Sequence, residues 1–183
     1  MIVARIDLVG SRIVMRPNSE EFAAPLHAAA IESIATVGRW MPWCHGARTM
    51  DEGVAWLQNC QANWDSGTEY EFTVFTPSGE YLGAAGLNQF NRVHNFANLG
   101  YWIRESRQRQ GIAVEAATLL ADFGFRSVGL SRIEIIVAEE NRPSRRVAEK
   151  LGAEYEGIAR NRLLLHGTPI PAAVYSLVPD VGP

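Results

Sequence analysis

The 183 residues predict an α/β domain, a mixed twisted sheet with helices on both faces. Three observations carry this. Ala97 to Ile103 reads as a strand, Ile112 to Val128 as a helix and Arg132 to Ala138 as a second strand. That succession suits one right-handed crossover between parallel neighbours. Tyr70 to Phe75 alternates, Thr76-Pro-Ser-Gly79 is a turn, and Tyr81 to Phe90 returns, as in an antiparallel pair. Two helical stripes precede these strands.

Taken in order, Arg12-Ile-Val-Met-Arg16 alternates and ends at Pro17, a first strand. Ser19 followed by Glu20 and Glu21 suits a helix N-cap with acids in its first turn. Leu26, Ala29, Ala30 and Ile34 form the stripe, which is lost by Gly38. Arg39 to His45 is a proline-containing connection with two tryptophans. Thr49-Met-Asp-Glu52 fits a capping box. Val54, Leu57, Cys60, Gln61 and Trp64 follow at helical spacing, and the helix ends before Gly67. Gly83 and Gly86 allow a bulge or a close approach in the Tyr81–Phe90 strand. Asn91 to Asn95 connects to the central strand. The 112–128 helix buries Ala116, Leu119, Leu120 and Phe123 and closes at Gly129. The β-branched run 132–138 suits a strand buried on both faces. Pro143 begins the next helix, which stops at Gly152. Glu154 to Leu165 and Ile170 to Val178 make a closing hairpin. Pro169 and Pro171 favour an edge position for its last strand.

The length suits one domain, taken here as residues 1–183, with a single core. Hydrophobic content of 47% and charged content of 20% fit a soluble globular chain. No apolar run reaches the roughly 20 residues of a membrane span. The start, Met1 to Asp7, lacks the marks of a signal peptide, so the cytoplasm is the expected location. Cys44 and Cys60 make neither a disulfide framework nor a metal site, and no metal is expected. Residues 1–103 carry a net −4 and residues 104–162 a net +2. The basic half suits a phosphate ligand, and the acidic half suits a cationic amine or reflects chance variation. No basic stripe with interleaved aromatics is present, so neither nucleic acid nor membrane is an expected partner.

The stretch with the sharpest chemistry is Gln108-Arg109-Gln110-Gly111-Ile112-Ala113, which feeds directly into a helix. Small residues let the backbone turn and approach a ligand. A helix start offers free N–H groups to an anion. No Gly-x-Gly-x-x-Gly follows an early strand, so a Rossmann dinucleotide site is a poor rival. Gln108, Gly111 and Ala113, with Asn98 to Ile103 before them and Asn141 to Gly152 after, resemble the acetyl-coenzyme A motif of the GCN5-related N-acetyltransferases (GNAT). The likeness is to the RimJ/RimL type, which acetylates ribosomal-protein N-termini.

That resemblance implies the GNAT fold, a mostly antiparallel twisted sheet whose central strands splay into a V. It implies acetyl-coenzyme A as co-substrate, an amine acceptor, and a monomer or homodimer. The acceptor is a peptide N-terminus or a small amine such as a polyamine, amino acid or aminoglycoside. A non-catalytic acyl-coenzyme A sensor is the alternative class. The 108–113 amides would grip pyrophosphate, with Arg107 or Arg109 adding charge, and Gly111→Asp would place a carboxylate against it. The resemblance adds Asn141 and the backbone of Tyr101, Trp102 and Ile103 as partners of the pantetheine arm, with an oxyanion donor near Ile103. Asn141 also suits a plain helix cap. Ser144 is the candidate proton donor to the leaving sulfur, because Ala148 stands where related branches place a tyrosine. It also suits a first-turn serine satisfying backbone donors.

Relatives often carry Glu where this chain has Asn98, and a second acidic position falls on Leu163. Asn98 or Asn88 would then orient a water that removes the amine proton. Glu71, Glu134 and Glu156 lie on strands with unknown facing. Trp40 and Trp43 line an acceptor pocket or plug a loop. His27, His45, His94 and His166 have surface or core roles by default.

Overall fold

The computed structural model describes residues 3–179. Eight strands, β1 (Leu8–Val9), β2 (Val14–Pro17), β3 (Tyr70–Phe75), β4 (Tyr81–Asn91), β5 (Phe96–Ile103), β6 (Arg132–Ala138), β7 (Glu154–Leu165) and β8 (Thr168–Leu177), form one sheet in the order β1-β2-β3-β4-β5-β6-β8-β7. Four α-helices accompany them: α1 (Ala23–Glu32), α2 (Met50–Ser66), α3 (Ile112–Phe123) and α4 (Arg142–Lys150).

Every neighbouring pair is antiparallel except β5 with β6. Those two pair in parallel at Phe96↔Arg132, Ala97↔Ile133 and Asn98↔Glu134 only. Beyond Asn98, β5 runs on to Ile103 with β4 alone beside it, so the two central strands splay. This is the mostly antiparallel sheet with a V at its centre.

Side-chain alternation divides the core in two. Tyr70, Phe72, Val74, Ala85, Leu87, Leu99 and Ile133 pack with Ala116, Leu120 and Phe123 of α3. On the opposite face Ala84 and Trp102 pack with Leu26 and Ala29 of α1. Glu71, Asn88, Asn98 and Glu134 alternate with residues of the first cluster, so they emerge on the α1 face.

Local chemistry explains the boundaries. The Thr49 capping box is complete: Thr49 Oγ1 accepts from the Glu52 N–H, and the Glu52 carboxylate accepts from the Thr49 N–H at 2.7 Å. Ser19 behaves differently from expectation. It precedes a 3₁₀ turn, Glu20–Phe22, makes no side-chain cap, and α1 begins only at Ala23. The 112–128 helix changes character at Gly124, continuing to Val128 as a π turn before Gly129 at φ 79°. A Cβ on Gly124 would stand 2.8 Å from Ile133 Cδ1. Glycine therefore lets this turn press onto β6.

Two expectations are corrected. β6 alternates instead of being buried on both faces. Ile133, Ile135 and Val137 point into the core, while Arg132 and Glu134 form an ion pair at 3.0 Å on the other side. The last strand, β8, is not at the edge; β7 is. Its prolines survive there because β8 pairs with β6 only from Ala172 onward, so Pro169 and Pro171 lie past that ladder. Pro171 also faces the bulge of β7 between Ala159 and Leu163, where no partner asks for an N–H.

Candidate active site

Where β5 and β6 part, a cavity of about 640 Å³ opens. Tyr101, Trp102 and Ile103 line it from β5, residues 107–109 and 111–114 but not Gln110 from the α3 entrance, and Asn141, Ser144 and Val147 from α4 and its cap. Thr36, Arg39, Trp40 and Met41, from the connection after α1, form the remaining wall.

The α3 entrance has the geometry of an anion cradle. Gly111 is its N-cap at φ 79°, and no side chain caps the helix. Its first N–H groups are left for a guest. Arg109 also sits at positive φ, 62°. Several side chains brace the loop, Arg107 among them, one of the two arginines expected to add charge. Gln108 Nε2 donates to the Ile103 carbonyl at 2.9 Å. Arg107 is paired with Glu80 at 2.7 Å. Arg12 donates to the Gln110 carbonyl at 2.7 Å and pairs with Glu115 of α3 at 2.8 Å. Arg109, Arg146 and Lys150 also line the cavity, and Arg146 pairs with Glu149 at 2.8 Å. Uncapped amides, surrounding cations and a long partly apolar slot fit a pyrophosphate carrying an extended arm. A Cβ on Gly111 would approach Arg12 Nη2 at 3.1 Å, and the residue sits at φ 79°, so Gly111→Asp would add backbone strain to the carboxylate it sets at the loop.

Asn141 caps α4: its Oδ1 accepts from the Ser144 N–H at 3.3 Å. It also lines the cavity, so both readings of this residue meet in one place. The Ser144 hydroxyl lies 2.8 Å from the Tyr101 hydroxyl, which also donates to the Ser144 carbonyl at 3.1 Å. Burial pushes the Tyr101 phenol up to about 12, so it stays protonated. Sequence reasoning gave Tyr101 a backbone role only. Its side chain emerges from β5 on the α3 face, opposite Trp102; alternation along the strand gives that facing but not the contact with Ser144.

Trp40 lines the cavity, with the Arg39 guanidinium 4.7 Å from its ring centre. Trp43 does not. It packs edge-on against Trp102 at 5.2 Å, under the Arg48 guanidinium, as part of the α1-side core. Asn88 and Asn98 lie in neither wall but form a row with Glu71, running to the vertex of the V. His166, from the turn between β7 and β8, meets the Gly38 carbonyl at 3.1 Å and joins the hairpin tip to the segment after α1. Leu163 is partly buried on β7. Among the described residues, no cluster of His, Cys, Asp and Glu assembles to hold a metal, and no helix is long and apolar enough to cross a membrane.

Comparison with known proteins agrees with this geometry. The acetyltransferase (GNAT) domain family model matches residues 12–154. The chain is 33% identical to YdaF of Bacillus subtilis, provisionally named a ribosomal N-acetyltransferase, over 93% of each chain. It is 33% identical to the spermidine N(1)-acetyltransferase of Escherichia coli over 89 residues, 49% of this chain and 48% of that one. It spans only 56–60% of the length of the first curated relatives it matches, among them YoaA of Bacillus subtilis. A Vibrio cholerae structure, described provisionally as a ribosomal-protein-serine acetyltransferase, superposes with a TM-score of 0.81 at 32% identity, covering 95% of this chain and 98% of that one. A RimL structure in complex with coenzyme A superposes at 0.88 with 21% identity, over 97% of this chain and 100% of that one, a likeness of fold.

Proposed function

Because this chain belongs to the GNAT acetyltransferase family, we propose that it is an N-acetyltransferase that moves the acetyl group of acetyl-coenzyme A to a protein N-terminal α-amine by direct attack in a ternary complex. Acetyl-coenzyme A supplies the acyl group. The chain's own residues do the rest. The uncapped α3 entrance and its cations hold the pyrophosphate. Tyr101, Trp102 and Ile103 flank the arm, and Asn141 borders it from α4. The hydroxyl pair of Ser144 and Tyr101 donates the proton that the departing sulfur needs. The observation that carries this reading is that pair, set in the same cavity as an anion cradle at a helix start.

The α-amine is the acceptor best suited to a vertex occupied by Asn98. An α-amine has an unperturbed pKa of ~8 and a lysine ~10.4, so the α-amine asks less of the protein to become a nucleophile. The similarity to YdaF and to the Vibrio cholerae structure supports the same choice. One observation favours a second acceptor class: the identity to the spermidine acetyltransferase makes a polyamine the alternative.

Thiol release from acetyl-coenzyme A, followed across short peptides with free N-termini and a set of polyamines, tests this. Turnover on peptides that disappears when their N-termini are blocked is the expected result. Turnover on polyamines alone would move the acceptor to small amines. Tight acetyl-coenzyme A binding with no turnover on any amine would replace catalysis by sensing.

A further inference from the structure

Three polar side chains cross three adjacent strands on the α1 face. Asn88 Nδ2 donates to Glu71 Oε1 at 3.2 Å, and Asn98 Nδ2 donates to Asn88 Oδ1 at 2.9 Å. An ionised carboxylate can only accept. It makes Asn88 present its nitrogen, which leaves Asn88 Oδ1 for Asn98 and leaves Asn98 Oδ1 with nothing. That last oxygen is buried and has no partner. An orphaned buried acceptor is costly. The row can also run the other way: a protonated Glu71 donates to Asn88 Oδ1, and Asn88 Nδ2 donates to Asn98 Oδ1, so that oxygen gains a donor. Asn98 Nδ2 then takes the far end of the row, on the side of β6, where Glu134 is its register partner. The row has two polarities, and a proton on Glu71 selects between them.

Glu71 is placed to hold that proton. It stands opposite Gly86, where a Cβ would lie 2.1 Å from its carboxyl group, so glycine is what lets the carboxylate cross β4. Glu134 and Glu156 are both neutralised by Arg132, at 3.0 and 2.6 Å. Glu71 makes no ion pair among the described residues. The groups around it are Glu69 beside it, the buried Cys60 of α2, whose thiol burial pushes up to about 12, and Asn18, whose N–H meets its carbonyl. Arg16 of β2 is engaged by Asp7 at 3.7 Å. Burial raises the Glu71 carboxyl to about 7, against the Asn88 hydrogen bond and with help from Glu69.

We propose that Glu71 receives the proton that the acceptor amine gives up, and that Asn88 and Asn98 report its charge at the vertex of the V by inverting their amides. The proposal rests on the acetyl-transfer reading. The acceptor arrives as an ammonium; one N–H bond breaks, and its proton passes through solvent to the Glu71 carboxylate. The neutral nitrogen forms the C–N bond as the C–S bond breaks. The nitrogen then loses its second proton to solvent, which returns to the hydroxyl pair the proton that pair gives to sulfur, and Glu71 releases its own proton to water.

Two measurements test it. The first titrates the Glu71 carboxyl by carbon NMR in the ligand-free protein. Titration near neutrality, shifted by Asn98→Ala, which removes the end of the row and hands its unpaired group to Asn88, is the expected result. Titration in the ordinary glutamate range, or no response to Asn98→Ala, overturns the coupled row. The second follows kcat/KM against pH. The wild type should lose activity about tenfold per pH unit below the Glu71 midpoint. Glu71→Gln should flatten that limb and lower the plateau about 10²-fold, with acetyl-coenzyme A affinity unchanged. Glu71→Asp should restore part of the limb. An unchanged limb in an active Glu71→Gln enzyme overturns Glu71 alone. Absence of turnover on any amine by the wild type overturns the transfer reading, and the amine-proton role with it.

Discussion

The Tyr101 hydroxyl, shared between the side chain and the carbonyl of Ser144, is the smallest unit on which the chemistry depends. Tyr101→Phe removes the donor and leaves the ring in place. Its expected effect is a kcat loss of about 10²-fold with acetyl-coenzyme A affinity held. Adding Ser144→Ala should then cost much less than it does in the wild type, because the two act as one donor. Additive losses in that double-mutant cycle would show that they work independently. Ser144 could be picked out by its distance from Asn141, but its partner could not. Which hydroxyl meets which depends on how far α4 leans over β5, and no spacing encodes that.

Among the elements, α2 tests how far local sequence decides structure. Its capping box was legible because both partners lie within four residues. Thr49→Ala should destabilise the protein by about 1 kcal/mol, read as a small drop in midpoint on chemical denaturation. The α3 entrance was legible as a glycine turn, yet the bracing of that turn by Arg12 and Glu115 spans most of the chain and left no local trace. Gly111→Ala, at φ 79°, should cost about 1–2 kcal/mol of backbone strain, seen as weaker acetyl-coenzyme A binding in a folded protein. Pro169 and Pro171 show the opposite failure. They signalled an edge correctly for their own few residues, but the rest of β8 is paired on both sides. The Glu71 row was invisible for a related reason. It needs the register of three strands at once, and alternation within one strand fixes facing only after the core side is known.

At the scale of the whole molecule, carboxylates of opposite behaviour shape stability against pH. Glu32 and Glu156 are held down to about 2, chiefly by hydrogen bonds from Arg104 and Arg132 respectively. Their contribution is present above the ordinary glutamate pKa and is lost as pH falls towards 2. Glu71 is raised to about 7, chiefly by burial, so its contribution is full below the ordinary value and is lost as pH climbs through 7. Thermal stability should therefore peak near pH ~5, and Glu71→Gln should remove the decline on the alkaline side. A melting temperature that rises steadily from pH 5 to pH 8 in the wild type would contradict this balance.

The sheet is stitched at its middle by the rungs at Phe96, Ala97 and Asn98 and by nothing further along. Mechanically it is two plates sharing a short spine, with the contact between His166 and Gly38 acting as a clasp at the open side. Such a body is compliant in one direction, the opening and shutting of the plates, and stiff in the others. A long guest wedged between the plates touches both and removes that single soft motion. Saturation with coenzyme A should slow amide hydrogen exchange in β6 and in the exposed length of β5 together, although the two strands share no backbone bond there.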